Sequence, residues 1–121
     1  MNDVVLSVTT AADGSGSTTQ VSPVSPTGLL YMIDYLPGTI ATGATITVTD
    51  ETQGASFTLF SLANAGTSNI RRYPRVLQYL NTDGSALTTH TLQGVAGKLK
   101  FTVASGGNAT TGKVILHFVE L

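Results

Sequence analysis

Apolar and polar residues alternate along most of this chain with a period of two. A β-strand turns successive side chains to opposite faces, so such alternation predicts strands that bury one face and leave the other to solvent or to a partner. In the last run the outward set is Lys113, Ile115 and His117, and Ile115 indicates that this outer face is not wholly wetted. The apolar positions of the clearest runs are Ile46 and Val48, Phe57 and Leu59, Leu99, Phe101 and Val103, and Val114, Leu116 and Phe118.

Further strands are predicted at residues 4–10, 18–21, 29–35 and 86–91, which brings the total to about eight. Turn signals rich in Gly, Asn, Asp and Pro separate them, because these residues supply the backbone angles that tight turns require. Many short strands at this spacing are typical of sandwiches and barrels. The chain is therefore predicted to be all-β, with one domain over residues 1–121 that forms an antiparallel β-sandwich or jelly roll of about eight short strands.

The alternation is most regular near the C-terminus. The runs at 98–103 and 113–118 flank a glycine-rich stretch at 106–112, and this spacing predicts a hairpin. We expect that hairpin to form the core of the fold, with Phe101 and Phe118 buried.

Two segments depart from the alternation. Residues 11–26 combine a Gly/Ser/Thr-rich stretch with Pro23 and Pro26, which predicts a flexible hairpin or arm that is poorly ordered in the free protein. Residues 63–80 lack the period of two, and Pro74 argues against a long helix there. We predict a long interface loop over 63–80, because long loops in compact domains are often binding elements.

The chain is unusually poor in charge. Hydrophobic residues make up 41% of its 121 residues and charged residues 11%, whereas soluble domains carry about 25% charged residues. A weakly charged surface repels neighbours little and suits a protein that partners cover, although threonine-rich strands alone give the same composition. The absence of cysteine excludes disulfides and cysteine-based zinc sites.

Charge and hydropathy mark neither a general nucleic-acid binder nor a membrane binder. The net charge is −1, and no apolar run approaches the roughly 20 residues of a membrane helix. We therefore expect neither a nucleic acid nor a membrane as partner. The N-terminus lacks the basic start and apolar core of a signal peptide, so we expect the chain to be used without export.

Candidate catalytic residues are few. His90 and His117 both fall on predicted strands, and no Gly-x-Ser-x-Gly motif accompanies them. Asp50 and Glu51 are adjacent acids, which we interpret as part of a hairpin turn because the spacing of a calcium-binding loop is absent. The sequence predicts no enzyme activity, no cofactor and no metal site.

Asp34 stands in an otherwise apolar strand. Under strict alternation it shares a face with Leu30 and Met32. A buried carboxylate is costly unless it is paired, so we expect Asp34 to pair with an arginine of the 71–75 segment or to lie near the edge of the sheet.

The segment Arg71-Arg72-Tyr73-Pro74-Arg75 holds three of the six Lys and Arg residues of the chain. Arginine and tyrosine are enriched at protein interfaces, so we predict that Arg71, Arg72, Tyr73 and Arg75 form a protein interface. Two alternatives stay open: an internal anchor for Asp34 or Asp83, and a contact with phosphate groups.

Several stretches of the C-terminal half carry a resemblance to known proteins. Over residues 71–120 the chain resembles small structural proteins of tailed-bacteriophage virions, which include capsid decoration (cement) proteins. The resemblance implies a β-sandwich or jelly-roll fold and a homo-oligomer, dimer or trimer, on the capsid lattice. The stretches that carry it are Tyr73-Pro74-Arg75, Thr82-Asp83-Gly84, GVAGKLKFTV at 94–103, Gly106-Gly107-Asn108-Ala109, Gly112 and Val119-Glu120.

The function expected from this resemblance is adhesive. The chain would be made in the host cytoplasm and reside in the virion, where it binds and stabilises the major capsid lattice through the major capsid protein or other virion proteins. One alternative is a head-tail adaptor or tail ring component. A carbohydrate-binding β-sandwich is a further alternative, although the chain has no tryptophan to stack on sugar rings.

Overall fold

The computed structural model of this chain describes residues 2–10, 16–22, 25, 27–52, 54–79 and 82–120. Within these ranges the chain forms ten strands and no helix, which confirms the predicted all-β class. The strands are β1 (Asn2–Thr9), β2 (Thr18–Val21), β3 (Gly28–Leu36), β4 (Thr45–Thr52), β5 (Ala55–Leu62), β6 (Ile70–Arg72), β7 (Arg75–Tyr79), β8 (Ala86–Val95), β9 (Lys98–Ala104) and β10 (Thr111–Glu120).

The strands form two antiparallel sheets that enclose one hydrophobic core. The first sheet has the order β1-β10-β3-β8-β7, with β6 also paired to β3, and the second has the order β2-β9-β4-β5. Because both sheets turn apolar side chains toward each other, the architecture is a β-sandwich. The core residues on strands of the first sheet include Leu6, Val8, Leu30, Ile33, Tyr35, Val114, Leu116 and Phe118, and those of the second include Ile46, Val48, Leu59, Leu99, Phe101 and Val103.

Strands β9 and β10 do not form the predicted hairpin. Strand β9 pairs with β2 and β4, whereas β10 pairs with β1 and β3, so the connection between them crosses from one sheet to the other. The predicted burial is confirmed, since Phe101 and Phe118 are 0% and 2% exposed. If β9 and β10 were paired in one sheet, their apolar faces would lie on the same side of that sheet. Because they belong to facing sheets, their apolar faces point toward each other and into the core.

A bulge in β3 decides which residues of that strand face the core. His117 lies opposite Met32 and Phe118 lies opposite Leu30, so Tyr31 is an extra residue. A bulge of this kind changes the phase of the alternation. Leu30 is therefore buried in the core, while Met32 and Asp34 occupy the outer face, and the prediction that all three share a face is wrong for Leu30.

The alternation also fails in β5, at the edge of the second sheet. Val48 pairs with Phe60 and Thr49 pairs with Thr58, so Leu59 is the extra residue of a bulge. Leu59 is buried, but Phe57 is 57% exposed, although the sequence pattern places both on one buried face.

The segment 63–80, predicted as one loop, contains two short strands. Strand β6 pairs with the second half of β3, and β7 pairs with β8. Periodicity fails to reveal them because β6 is only three residues long and Tyr73 and Pro74 separate it from β7. The binding role predicted for this segment is taken up below.

Much of the predicted arm at 11–26 falls outside the described residues, which omit 11–15, 23, 24 and 26. The strand predicted at 18–21 is confirmed as β2, which pairs with β9. Before it, the Gly16 carbonyl accepts a hydrogen bond of 2.8 Å from the Gly106 backbone N–H.

A buried carboxylate holds one crossing between the sheets. Asp50 is 6% exposed. It accepts hydrogen bonds from the Gly97 N–H at 2.8 Å and the Ala96 N–H at 3.2 Å, as well as from the Thr52 hydroxyl at 2.8 Å. Ala96 and Gly97 join β8 of the first sheet to β9 of the second. The Asp50–Glu51 pair thus lies within β4, not in a hairpin turn as the sequence suggests.

We expect Phe101→Ala to lower the free energy of unfolding by about 3–5 kcal/mol, because it leaves a cavity between the sheets. The matched control is Phe57→Ala on the exposed end of β5, which should cost less than about 1 kcal/mol. Urea denaturation of the isolated protein measures both, and equal losses would contradict this assignment of the core.

A side chain at position 97 should also destabilise the fold. A Cβ there would overlap the Asp50 and Thr52 side-chain oxygens and the Glu51 carbonyl. Gly97→Ala should therefore cost about 1–3 kcal/mol, the range typical of overpacking. Gly94→Ala is the control, since a Cβ at Gly94 meets no atom within 4 Å. A Gly97→Ala protein as stable as Gly94→Ala in denaturant would show that the Asp50 cradle is not rigid.

Candidate functional site

The arginine segment begins in β6, beside β3 in the first sheet. Strand β6 pairs with β3 in a register that sets Arg71 directly opposite Asp34. The Arg71 Nε–H donates to Asp34 Oδ1 at 2.6 Å, and an Arg71 Nη2–H donates to Asp34 Oδ2 at 2.8 Å. This two-point contact between guanidinium and carboxylate is the strongest geometry available to such a pair. Arg71 is thus the internal anchor for Asp34 that the sequence left as an alternative.

The charge of Asp34 is stabilised where it lies. The residue is 9% exposed, in a strand interior to the first sheet. The hydrogen bonds from Arg71 hold the pKa of the Asp34 carboxyl below its usual range, and His117 contributes in the same direction, while burial opposes both. The same pair raises the pKa of Arg71.

His117 extends this pair into a row that spans four strands. Its Nε2 lies 3.1 Å from Asp34 Oδ2, and its Nδ1 lies 2.8 Å from Asp3 Oδ1. An ionised carboxylate only accepts hydrogen bonds, so the ring donates to both aspartates only as an imidazolium. The row Asp3–His117–Asp34–Arg71 ties β1, β10, β3 and β6 together.

Tyr73 and Arg75 are anchored on the bulge residue of β3. The rings of Tyr31 and Tyr73 meet edge to face with centroids 5.9 Å apart. The Arg75 guanidinium lies 5.6 Å from the Tyr31 ring centroid, and its Nη1–H donates to the Tyr31 carbonyl at 3.0 Å. These contacts hold the segment in one conformation against the sheet.

The segment still presents an exposed surface. The Arg72 Nη1–H donates to the Arg71 carbonyl, and within the described ranges neither Arg72 nor Arg75 is paired with a carboxylate. Tyr73 is 52% exposed. We name Arg72, Tyr73 and Arg75 the Arg–Tyr surface. Of the four residues predicted for a protein interface, Arg71 pairs with Asp34 while its side chain stays 56% exposed, and the other three form this surface.

The outer face of β1 and β10 is a second exposed surface. Lys113 is exposed, whereas Ile115 and His117 are partly buried, in agreement with an outer face that is not wholly wetted. Val5 lies directly opposite Ile115 and is 53% exposed. Beside Lys113 a shallow depression of about 390 Å³ opens between β1, β10 and the end of β3.

The remaining candidate residues are separate from one another. His90 is exposed on β8. Asp83 accepts a hydrogen bond of 2.9 Å from the Ser85 N–H, and among the described residues it forms no ion pair with an arginine. In the part of the chain that the structure describes, no three His, Cys, Asp or Glu residues are grouped to hold a metal ion. No helix among the described residues is long and apolar enough to cross a membrane.

Sequence reasoning missed Asp3 and Tyr31. Asp3 faces His117 because β1 pairs with β10, a register that joins the two ends of the chain. Tyr31 is an anchor because a bulge turns it out of the alternation. Neither residue carries a local signal, since both roles depend on which strands become neighbours.

Comparisons with protein-family models, with curated proteins and with solved structures found no match to this chain.

The stability of the fold should depend on acid pH through Asp34. A carboxyl whose folded-state pKa lies below its unfolded value of about 3.9 stabilises the fold above that pH, and the contribution is lost as the pH falls through the folded-state pKa. Arg71→Ala should therefore lower the free energy of unfolding near neutral pH and should also reduce its loss on acidification.

Urea denaturation at about pH 7 and about pH 3 measures both effects. The control is Arg72→Ala, which leaves the Asp34 pair intact and should retain the wild-type pH dependence. An Arg71→Ala protein with the wild-type acid dependence would show that the pair does not govern the titration of Asp34.

Proposed function

We propose that this chain is a non-enzymatic structural protein of a tailed-bacteriophage virion, a decoration or cement protein that binds and stabilises the major capsid lattice. The proposal draws its location in the virion from the resemblance over residues 71–120. The proposed adhesive role rests on one observation, the exposed Arg–Tyr surface.

A preorganised surface favours adhesion. Binding costs conformational entropy for every side chain that must be ordered, and contacts that hold a side chain in place beforehand reduce that cost. The bidentate Arg71–Asp34 pair and the contacts of Tyr73 and Arg75 with Tyr31 supply such order. Exposed arginine and tyrosine on a rigid support are the composition and setting of interface hot spots.

The chemistry of the surface specifies its partner. Arg72 and Arg75 present guanidinium donors without a carboxylate partner in the described ranges, so the matching surface should carry aspartate or glutamate. Each copy that bridges neighbouring capsid subunits adds interface area, about 1,600 Å² for a standard interface, and so raises the free energy needed to rupture the shell.

A head-tail adaptor or tail ring component is the alternative within the virion. The same fold and surface serve either position, and copy number separates them. Quantitative mass spectrometry of purified virions should find hundreds of copies for a decoration protein, whereas a ring around the portal axis holds only six or twelve.

We expect the double substitution Arg72→Ala with Tyr73→Ala to weaken attachment to purified particles by about 2–4 kcal/mol, as removal of hot-spot residues does. The fold should be intact, because neither side chain belongs to the core or to the Asp34 pair. Occupancy on particles washed at moderate salt measures the effect.

The matched comparison is Lys113→Ala together with Val5→Ala on the outer face of β1 and β10. If that protein is lost from the particles while the Arg72→Ala, Tyr73→Ala protein stays bound, the contact surface is the outer face. Absence of the wild-type chain from virions would contradict the proposed function itself.

A further inference from the structure

The β7–β8 hairpin extends beyond the sandwich. Only Gln93, Gly94 and Val95 of β8 pair with β3, whereas Ala86, His90, Thr91 and Leu92 pair with β7, in a ladder that is irregular between Leu77 and Tyr79. Residues 86–91 of β8 are exposed at every position, whereas Val76 and Leu77 of β7 are half-buried. Tyr79 and Leu87 are exposed there as well. A two-stranded ribbon is marginally stable by itself in water, so a partner that pairs with the projecting part of this one would stabilise it.

Strand β7 ends the first sheet and leaves one backbone edge without a strand neighbour among the described residues. Natural proteins protect such edges with charges, prolines, short strands or a covering element. The strand begins with Arg75, directly after Pro74, and its remaining residues from Val76 to Tyr79 include no charge and no proline. Its free edge is therefore suited to pair with another strand.

The other four edge strands differ from β7. Strand β1 carries Asp3, β2 is only four residues long, and β6, which pairs with β3 alone, has three residues. Strand β5 has the Leu59 bulge and packs part of one face on the core, so its stability does not require a further strand. Among the described strands, β7 combines a free edge with a partner strand that is exposed at residues 86–91.

The sequence of β7 is complementary to itself. In an antiparallel pair of two β7 strands centred on Leu77, the Leu77 side chains lie opposite each other. Arg75 of one copy then lies opposite Tyr79 of the other, and this contact occurs twice. A guanidinium beside a tyrosine ring is attractive, and Tyr79 is 62% exposed. In the dimer, Arg75 would exchange its contact with the Tyr31 ring of its own chain for this one. No like charges face each other in this register.

We propose that the free edge of β7 pairs with β7 of a second copy of this chain, in antiparallel register about Leu77, to form a twofold dimer with a continuous intersubunit sheet. A twofold axis makes the same strand serve both subunits, which is the commonest symmetry of protein oligomers. This inference does not depend on a location in the virion, since it rests on the edge and register of β7.

Sedimentation velocity of the wild-type protein tests the assembly. At micromolar concentration the protein should sediment as a species of twice the 12.5 kDa chain mass. A monomer throughout the accessible concentration range would overturn the proposal.

Two substitutions at one exposed position test the register. Tyr79→Lys sets a like charge against Arg75 at both contacts and should raise the dimer Kd about tenfold or more. Tyr79→Glu sets a carboxylate there instead, and the dimer should persist or tighten. If both substitutions weaken the dimer equally, the register is wrong. Circular dichroism verifies that each protein keeps its β fold.

Thr58→Lys on the exposed part of β5 is the matched control and should leave the dimer intact. If Thr58→Lys dissociates the dimer and Tyr79→Lys does not, the dimer interface lies at β5 and the proposal is overturned. Because the chain has no cysteine, Leu77→Cys should also cross-link two copies under mild oxidation, whereas Thr58→Cys should not. Absence of the Leu77→Cys cross-link in a dimer would exclude the Leu77-centred register.

Discussion

A carboxylate within an apolar strand imposes the main constraint on the first sheet. Asp34 lies between β10 and β6 and is almost fully buried, so its charge must be balanced by groups that the neighbouring strands supply. Arg71 provides two hydrogen bonds from one side and His117 provides one from the other. Both partners arrive only when β6 and β10 are in register with β3. The pair therefore favours one alignment of three strands over its neighbours, since a slip of one residue would turn these side chains to the opposite face.

The core and the crossing between the sheets depend on a second buried carboxylate. Asp50 lies at the end of β4 and binds the backbone N–H groups of the turn that carries the chain from β8 to β9. One sheet is thus attached to the other by hydrogen bonds as well as by apolar contact. The two aspartates have different roles, because Asp34 orders strands within a sheet and Asp50 orders one sheet relative to the other.

These constraints also explain how a chain with little charge presents a defined surface. Half of its six Lys and Arg residues belong to one short segment. One of the three arginines, Arg71, pairs with Asp34. This ion pair positions the backbone from which Arg72, Tyr73 and Arg75 project. The chain then continues directly into β7, so the Arg–Tyr surface and the free edge of the first sheet are neighbours along one stretch of backbone. Contacts with a capsid and with a second copy would use adjacent parts of the molecule, with Arg75 at the boundary.

The amino-acid sequence alone determined the fold class, the burial of Phe101 and Phe118 and the need of Asp34 for a partner. Each follows from local rules: the period of two in strands, the size of a buried aromatic side chain and the cost of an unpaired charge. The sequence also singled out the arginine segment, although it left open whether that segment is an anchor or an interface. In the structure Arg71 pairs with Asp34, and all four residues of the predicted interface are exposed.

Only the tertiary structure decided which strands become neighbours. The placement of β9 and β10 in facing sheets, the bulge at Tyr31 and the contact of Asp3 with His117 all depend on pairings between distant parts of the chain. Alternation shows that a strand has an apolar face. It does not show which strands pair with that strand, or which strands of the opposite sheet cover its face. A bulge adds one residue to a strand, and that residue can be of any type. The face on which the residues beyond it lie therefore cannot be read from the pattern. That choice is made by the packing of the whole core, where both sheets have to bury their apolar faces at once.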